Sequence, residues 1–315
     1  MAFYDTYRRQ VALLVRVLPH IAAEPSFALK GGTAINLFAR DLPRLSVDID
    51  LTYLPVEPRD QSLTAIDAAM KRVAARIIAA IPKAKITESR AEGAVTKLIV
   101  RAEEVQIKIE VTPVLRGCVF EPVVRAVTPA VEDAFGFAEI AVVSFADLYA
   151  GKIVAALDRQ HPRDLFDVRD LLANEGVDDE LRRAFIVYLI SHGRPMFEVL
   201  APTRKNFADE FLRGFEGMTD RPVSQDELAA VREALIETIV GQMPVAHQRF
   251  LISFERGEPE WALIDVPGAA DLPAVRWRQQ NLDQLPEDKR AALVDRLRAV
   301  LTERDPHTQT DGGKL

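Results

Sequence analysis

Residues 46–52, SVDIDLT, alternate without a break. Ser46, Asp48, Asp50 and Thr52 fall on one face of a strand, and Val47, Ile49 and Leu51 on the other. Such a strand must turn its apolar face to a core, and it leaves two carboxylates two residues apart on the opposite side. Upstream, the short apolar segment Phe27-Ala28-Leu29 gives way to Gly31, Gly32 and Thr33, followed by the helix-like run AINLFAR. Glycines at a strand-to-helix turn let the backbone approach a phosphate, and a helix N-terminus offers free N–H groups to it. The loop DLPRL joins the two segments. Two aspartates on a half-exposed strand usually make a solvated face, and a lone Gly-Gly usually makes a turn. Here Gly-Gly-Thr, Arg44-x-Ser46 and Asp48-x-Asp50 share about twenty residues. A carboxylate pair beside a phosphate-cradling turn suits Mg²⁺ held against a nucleoside triphosphate.

Further along, VQIKIEVTP repeats the pattern. Val105, Ile107, Ile109 and Val111 face one way, while Gln106, Lys108, Glu110 and Thr112 face the other. Taken alone, this is an edge strand with a Lys/Glu solvent face. Ser144 then precedes FADLYAGKIVAALDR, with Asp147 three residues on in the capping-box position. Lys152 and Arg159, seven residues apart, share roughly one helical face. Gln160-His161-Pro162 breaks the pattern because the residue before proline avoids helical geometry. A second helix is expected from Pro162 through RDLFDVRDLLANEG to Gly176.

The segment KGGTAINLF…R-x-S-x-D-I-D-L resembles motif I of the nucleotidyltransferase superfamily, and in particular the AbiEii/MenT-like toxins of bacterial type IV toxin–antitoxin systems. GKIVAALDRQHPRDLFDV, with Lys152, Arg159, Arg163, Asp164 and Asp167, resembles motif III of the same family. One departure is Gly151 directly before the lysine, with Ala150 beside it. The resemblance covers residues 26–172 well and the rest only loosely. It implies that Asp48 and Asp50, with Glu110 as a third carboxylate, hold one or two Mg²⁺ on the triphosphate. Gly31, Gly32, Thr33 and Ser46 would contact phosphates. Lys152 would be a point charge on the triphosphate, with Lys108 or Arg44 adding to it and Arg159 among the nucleotide-binding residues. Asp167 or Asp164 would accept the acceptor's hydroxyl proton or hold Lys152 in place. The resemblance further implies transfer from an NTP to the 3′ end of tRNA, a block on translation, and a cognate AbiEi-like antitoxin. A small-molecule or protein hydroxyl as acceptor, and a non-catalytic nucleotide sensor, stay open as alternatives.

The expected fold is α/β in the α+β sense: a nucleotidyltransferase mixed β-sheet lobe with flanking helices over residues 1–175, then a mostly α-helical lobe over 176–304. Residues 305–315, DPHTQTDGGKL, read as a disordered tail. A 315-residue chain with 48% hydrophobic and 28% charged residues can bury full cores in two lobes. The net charge of -7 argues against a generic nucleic-acid coat protein without excluding a local basic patch. One cysteine, Cys118, fits a reducing cytoplasm, and the N-terminal run VALLVRVL is too short and too charged to span a bilayer. It reads instead as part of an amphipathic helix from about Tyr4 to Ala22. Residues 60–81 read as another helix, and KAKITESRA and AVTKLIVRAE as antiparallel strands. The five histidines show no zinc-ligand spacing, and no Walker A motif is present. Arg276, Arg278, Lys289, Arg290, Arg296, Arg298 and Arg304 gather near the C-terminus around Trp277. An aromatic there can stack on a base, and more often it packs.

Overall fold

The computed structural model describes residues 2–219 and 221–302. The expected tail at 305–315, and Arg304, lie outside them. The chain forms two compact units, Met1–Leu148 with Phe215–Pro222, and Tyr149–Gly214 with Val223–Leu315.

In the first unit the described strands make one mixed seven-stranded sheet. They are β1 (Phe27–Lys30), β2 (Asp48–Tyr53), β3 (Lys85–Ala91), β4 (Ala94–Ala102), β5 (Val105–Arg116), β6 (Val123–Ala126) and β7 (Glu139–Val142). Their order is β3-β4-β5-β2-β1-β7-β6. The alternating segments become neighbours: β2 pairs in parallel with β5 and antiparallel with β1. Ile49, Leu51, Ile107, Ile109 and Val111 are buried, as a two-residue period with one covered face requires. The helices α1 (Ala2–Ala22) and α3 (Arg59–Ala80) pack on this sheet and on each other. Their apolar stripes, Val11, Leu14, Leu18 and Ile21 on α1 and Ile66, Met70, Val73 and Ile77 on α3, are buried.

Gly31 begins a helical turn directly. The turn α2 (Gly31–Ala34) continues as a π-helical stretch over Ile35–Ala39, with Gly31 at positive φ making the bend out of β1. The helix α4 (Pro129–Phe135) lies between β6 and β7. Its short length and proline start give little periodicity to read. Segment 215–222 joins this unit through an isolated bridge, Arg44 to Thr219, and a hydrogen bond from Leu45 N to the Met218 carbonyl.

The second unit is helical: α5 (Phe145–Arg159, shared with the first unit by its first turn), α6 (Pro162–Asn174), α7 (Asp179–Ile190), α8 (Met196–Leu200), α9 (Ala208–Gly214), α10 (Gln225–Ile236), α11 (Val245–Arg256), α12 (Pro273–Asp283) and α13 (Glu287–Thr302). α6 packs on α9 and α10, α7 on α8, α11 and α12, and α13 on α8 and α11. Phe250 and Phe254 pack against Trp261, tilted and edge-on, with ring centroids 5.1 and 6.3 Å away. Ser224 and Glu227 close a capping box on α10.

Glu24, after α1, is buried and accepts from Arg72 at 2.7 and 3.0 Å and from Arg76, both on α3. The hydrogen bond from Arg72 holds its carboxyl below the ordinary value of about 4.5, against burial and with Arg76 assisting. A depressed folded pKa gives stability that is complete above the unfolded value and is lost as pH falls through the folded one. Glu24→Gln is therefore expected to cost about 1–3 kcal/mol at neutral pH. It should also flatten the acid limb below about pH 4.5, as urea unfolding across pH will show.

Candidate active site

The register of β1, β2, β4 and β5 places four charged residues in one row. Lys30 pairs with Asp50, Asp50 with Glu110, and Glu110 with Lys97. Directly paired residues project from the same face, so the row runs cation, anion, anion, cation. One step along the strands Asp48 pairs with Lys108. Lys108 Nζ lies 3.0 Å from Glu110 Oε2 and 3.9 Å from Asp48 Oδ2, while Lys97 Nζ lies 3.1 Å from Glu110 Oε1. Burial opposes the charge on Glu110, but the two lysines outweigh it and hold its carboxyl below the usual range. For Lys108, too, burial is outweighed, by the hydrogen bond to Glu110 and the charges of Asp48 and Asp50, and its pKa rises. Lys30 goes the other way: burial pulls its ammonium below the ordinary lysine value despite Asp50 and Glu110.

Steric room at the turn is set by its glycines. Gly31 has φ +74°, and a Cβ there would stand 2.7 Å from Asp50 Oδ2. A Cβ on Gly32 would stand 2.7 Å from Arg44 Nη2 and 3.0 Å from Ser46 Oγ. The backbone of the turn therefore lies directly against the aspartate carboxylate on one side and the Arg44 guanidinium on the other. Arg44 is buried and also donates from Nη1 to the Leu45 carbonyl at 3.0 Å. Thr33 and Ser46, expected at phosphates, have inward-turned hydroxyls. Thr33 Oγ1 donates to the Asp48 carbonyl and lies 3.1 Å from Ser46 Oγ, which ties the turn to β2.

The donor types suit Mg²⁺, a hard cation that takes one or two carboxylates and completes its shell with water and substrate phosphates. Asp48 and Asp50 fit that description. Among the described residues no three His, Cys, Asp or Glu side chains converge as a preformed metal cage. Beside the aspartate pair, both Glu110 oxygens lie against lysine ammoniums, at 3.0 and 3.1 Å.

In the second unit α5 carries Lys152 and Arg159, and α6 carries Asp164 and Asp167. The linker Gln160-His161 turns the chain between them, with His161 accepting from Arg163 N to cap α6. Lys152 Nζ lies 2.8 Å from Asp164 Oδ1 and 3.0 Å from Asp167 Oδ2. Arg159 grips Asp164 with both Nε and Nη2. Asp164 is strongly opposed by burial, yet Lys152 and Arg159 hold it well below the usual carboxylate range. Such a carboxylate is a poor proton acceptor and a good anchor. The Gly151 departure has a steric cause: a Cβ there would stand 3.2 Å from the Tyr188 ring, closer than ordinary contact.

Sequence reading missed Lys30, Lys97 and Gln160. Lys30 immediately precedes the glycines and was within reach of the pattern; Lys97 needed the strand register. Trp277 is exposed, contrary to the packing expected of it, but Arg276 pairs with Asp271, Arg278 with Glu255, Arg298 with Asp295, and Arg296 lies over Phe197.

A family model described as nucleotidyl transferase AbiEii toxin, type IV TA system, matches residues 12–281. Among solved structures the fold is similar to MenT4, the nucleotidyltransferase toxin Rv2826c from Mycobacterium tuberculosis H37Rv. That match has a TM-score of 0.55 and 19% identity, and covers 88% of this chain and 94% of that one. Among curated proteins no sequence matches significantly.

Two stability outcomes are expected. Gly31→Ala should lose about 1–3 kcal/mol, since alanine must hold a left-handed φ while displacing Asp50. Lys152→Ala leaves two buried carboxylates short of a counter-ion and should lose about 3–5 kcal/mol. Urea unfolding measures both.

Proposed function

The chain belongs to the AbiEii nucleotidyl transferase toxin family of type IV toxin–antitoxin systems, and on that premise we propose that this nucleotidyltransferase moves a nucleotide from an NTP to the 3′ end of a tRNA and so blocks translation. The observation that carries the reading is the aspartate pair on β2 lying against a turn whose glycines admit nothing larger.

Asp48 and Asp50 would hold Mg²⁺, which when bound neutralises charge on the triphosphate and orients it. Gly31 and Gly32 let the backbone N–H groups of the turn reach a phosphate, with the Arg44 guanidinium alongside. Lys108 and Lys97 keep Glu110 ionised and are available to screen phosphate charge. In the transfer, the acceptor hydroxyl oxygen bonds to the α-phosphorus, the bond to the β-phosphate breaks, and pyrophosphate leaves. Positioning and electrostatics dominate such chemistry. Lys152 supplies a fixed cation held by Asp164 and Asp167. Because Asp164 and Asp167 are both buried against Lys152, we assign the two carboxylates to holding that cation in place, and the acceptor hydroxyl's proton leaves to solvent. An AbiEi-like antitoxin is the proposed partner and the cytoplasm the proposed compartment; no described helix is long and apolar enough to cross a membrane.

The reading is tested by incubating the protein with total bacterial RNA, Mg²⁺ and each labelled NTP in turn. Label should enter a tRNA-sized band for at least one donor. Asp48→Ala should reduce it by a factor on the order of 10²–10³, the loss typical of a group that stabilises transition-state charge. Label appearing on protein would replace the RNA acceptor with a protein hydroxyl, and no labelled product from any donor would sink the assignment.

A further inference from the structure

Residues 202–206, between α8 and α9, have no regular secondary structure, yet the second unit pins them almost residue by residue. Gln160 is wholly buried; it donates from Nε2 to the Thr203 carbonyl at 2.8 Å and accepts from Lys205 N at 3.0 Å. The same amide oxygen accepts from Arg232 Nε at 3.0 Å, and Arg232, also buried, reaches the Pro202 carbonyl. Lys205 Nζ donates to the Asp158 carbonyl at 2.8 Å, and Asn206 Oδ1 accepts from Ala208 N at 3.0 Å. Gln160 does this at φ +53°, a left-handed conformation that persists in a non-glycine residue only where the surroundings over-determine it. Two buried polar side chains and a strained backbone thus give an exposed loop a single shape.

What the loop presents is Arg204, exposed and without a hydrogen bond or ion pair among the described residues. With Lys205, Asn206, Gln225 and Asp226 it lines an open groove of about 380 Å³. The Asn206 amide nitrogen is left to donate, because its oxygen is the atom used on Ala208. Asp226 offsets part of the positive charge, which disfavours a multiply charged ligand such as a free triphosphate or an acidic peptide. One guanidinium beside two amides instead suits a single phosphodiester with its sugar or base edge. We propose that this groove binds the backbone of the acceptor RNA, with Arg204 on a phosphate. The proposal rests on the RNA-acceptor reading above. It links to the candidate site through the α5–α6 linker, where Arg159 grips Asp164 and the next residue, Gln160, fixes the loop.

The test measures binding of end-labelled bulk bacterial tRNA across a salt series for wild type, Arg204→Glu and Arg204→Ala. Arg256→Glu, on exposed α11 surface, is the charge-reversal control. Arg204→Glu is expected to bind about tenfold more weakly, and the slope of log affinity against log salt to shrink by about 0.7–1. In transfer assays KM for RNA should rise while NTP binding and kcat hold. Wild-type affinity and slope in Arg204→Glu, or an equal loss in Arg256→Glu, would overturn the groove assignment. If label still enters RNA in that case, the function stands and only the groove falls. If wild type neither binds nor labels RNA, both fall.

Discussion

The parallel pairing of β2 with β5 is the constraint on which the first unit depends. It sets Asp50 beside Glu110 and Asp48 beside Lys108, and a slip of one residue would send every one of these side chains into the core. The apolar halves of the same strands make that slip prohibitive. Ile49, Leu51, Ile107, Ile109 and Val111 are buried on the face opposite the charges, so the hydrophobic period fixes the polar constellation as a by-product. The carboxylates are held close not by attraction between them, which is absent, but by the core behind them. Lysines on β1, β4 and β5 then neutralise the crowding.

This explains which parts were legible in the sequence. Strands β2 to β5, the long helices α1 and α3, and the cap at Ser144 follow from local period and capping chemistry, and all lie where they were expected. The candidate residues Asp48, Asp50, Lys152, Asp164 and Asp167 were visible as motif positions. Contacts that cross between distant elements were not. Lys97 meets Glu110 only through the pairing of β4 with β5, and Gln160 meets Thr203 and Arg232 across more than forty residues of chain. The contacts of Thr33 were hidden for a similar reason: its hydroxyl reaches the Asp48 carbonyl and Ser46 only once the turn lies against β2.

The two charged constellations differ in what they can exchange. On the sheet, the side chains of Asp48, Lys108 and Glu110 are 35%, 32% and 33% exposed, so water already competes for them and their ion pairs are weakly held. A divalent cation or a phosphate can replace those partners with little rearrangement. On α5 and α6, Lys152 is 7% exposed and Asp164 and Asp167 only 1%. Removing a counter-ion there strands a charge in a poorly solvated place, so that pairing is costly to break. The exposed set is thus suited to holding a transient ligand and the buried set to supplying a field that does not move. A charged group aimed before substrate arrives needs no reorganisation during reaction, which is the condition under which electrostatic stabilisation is largest.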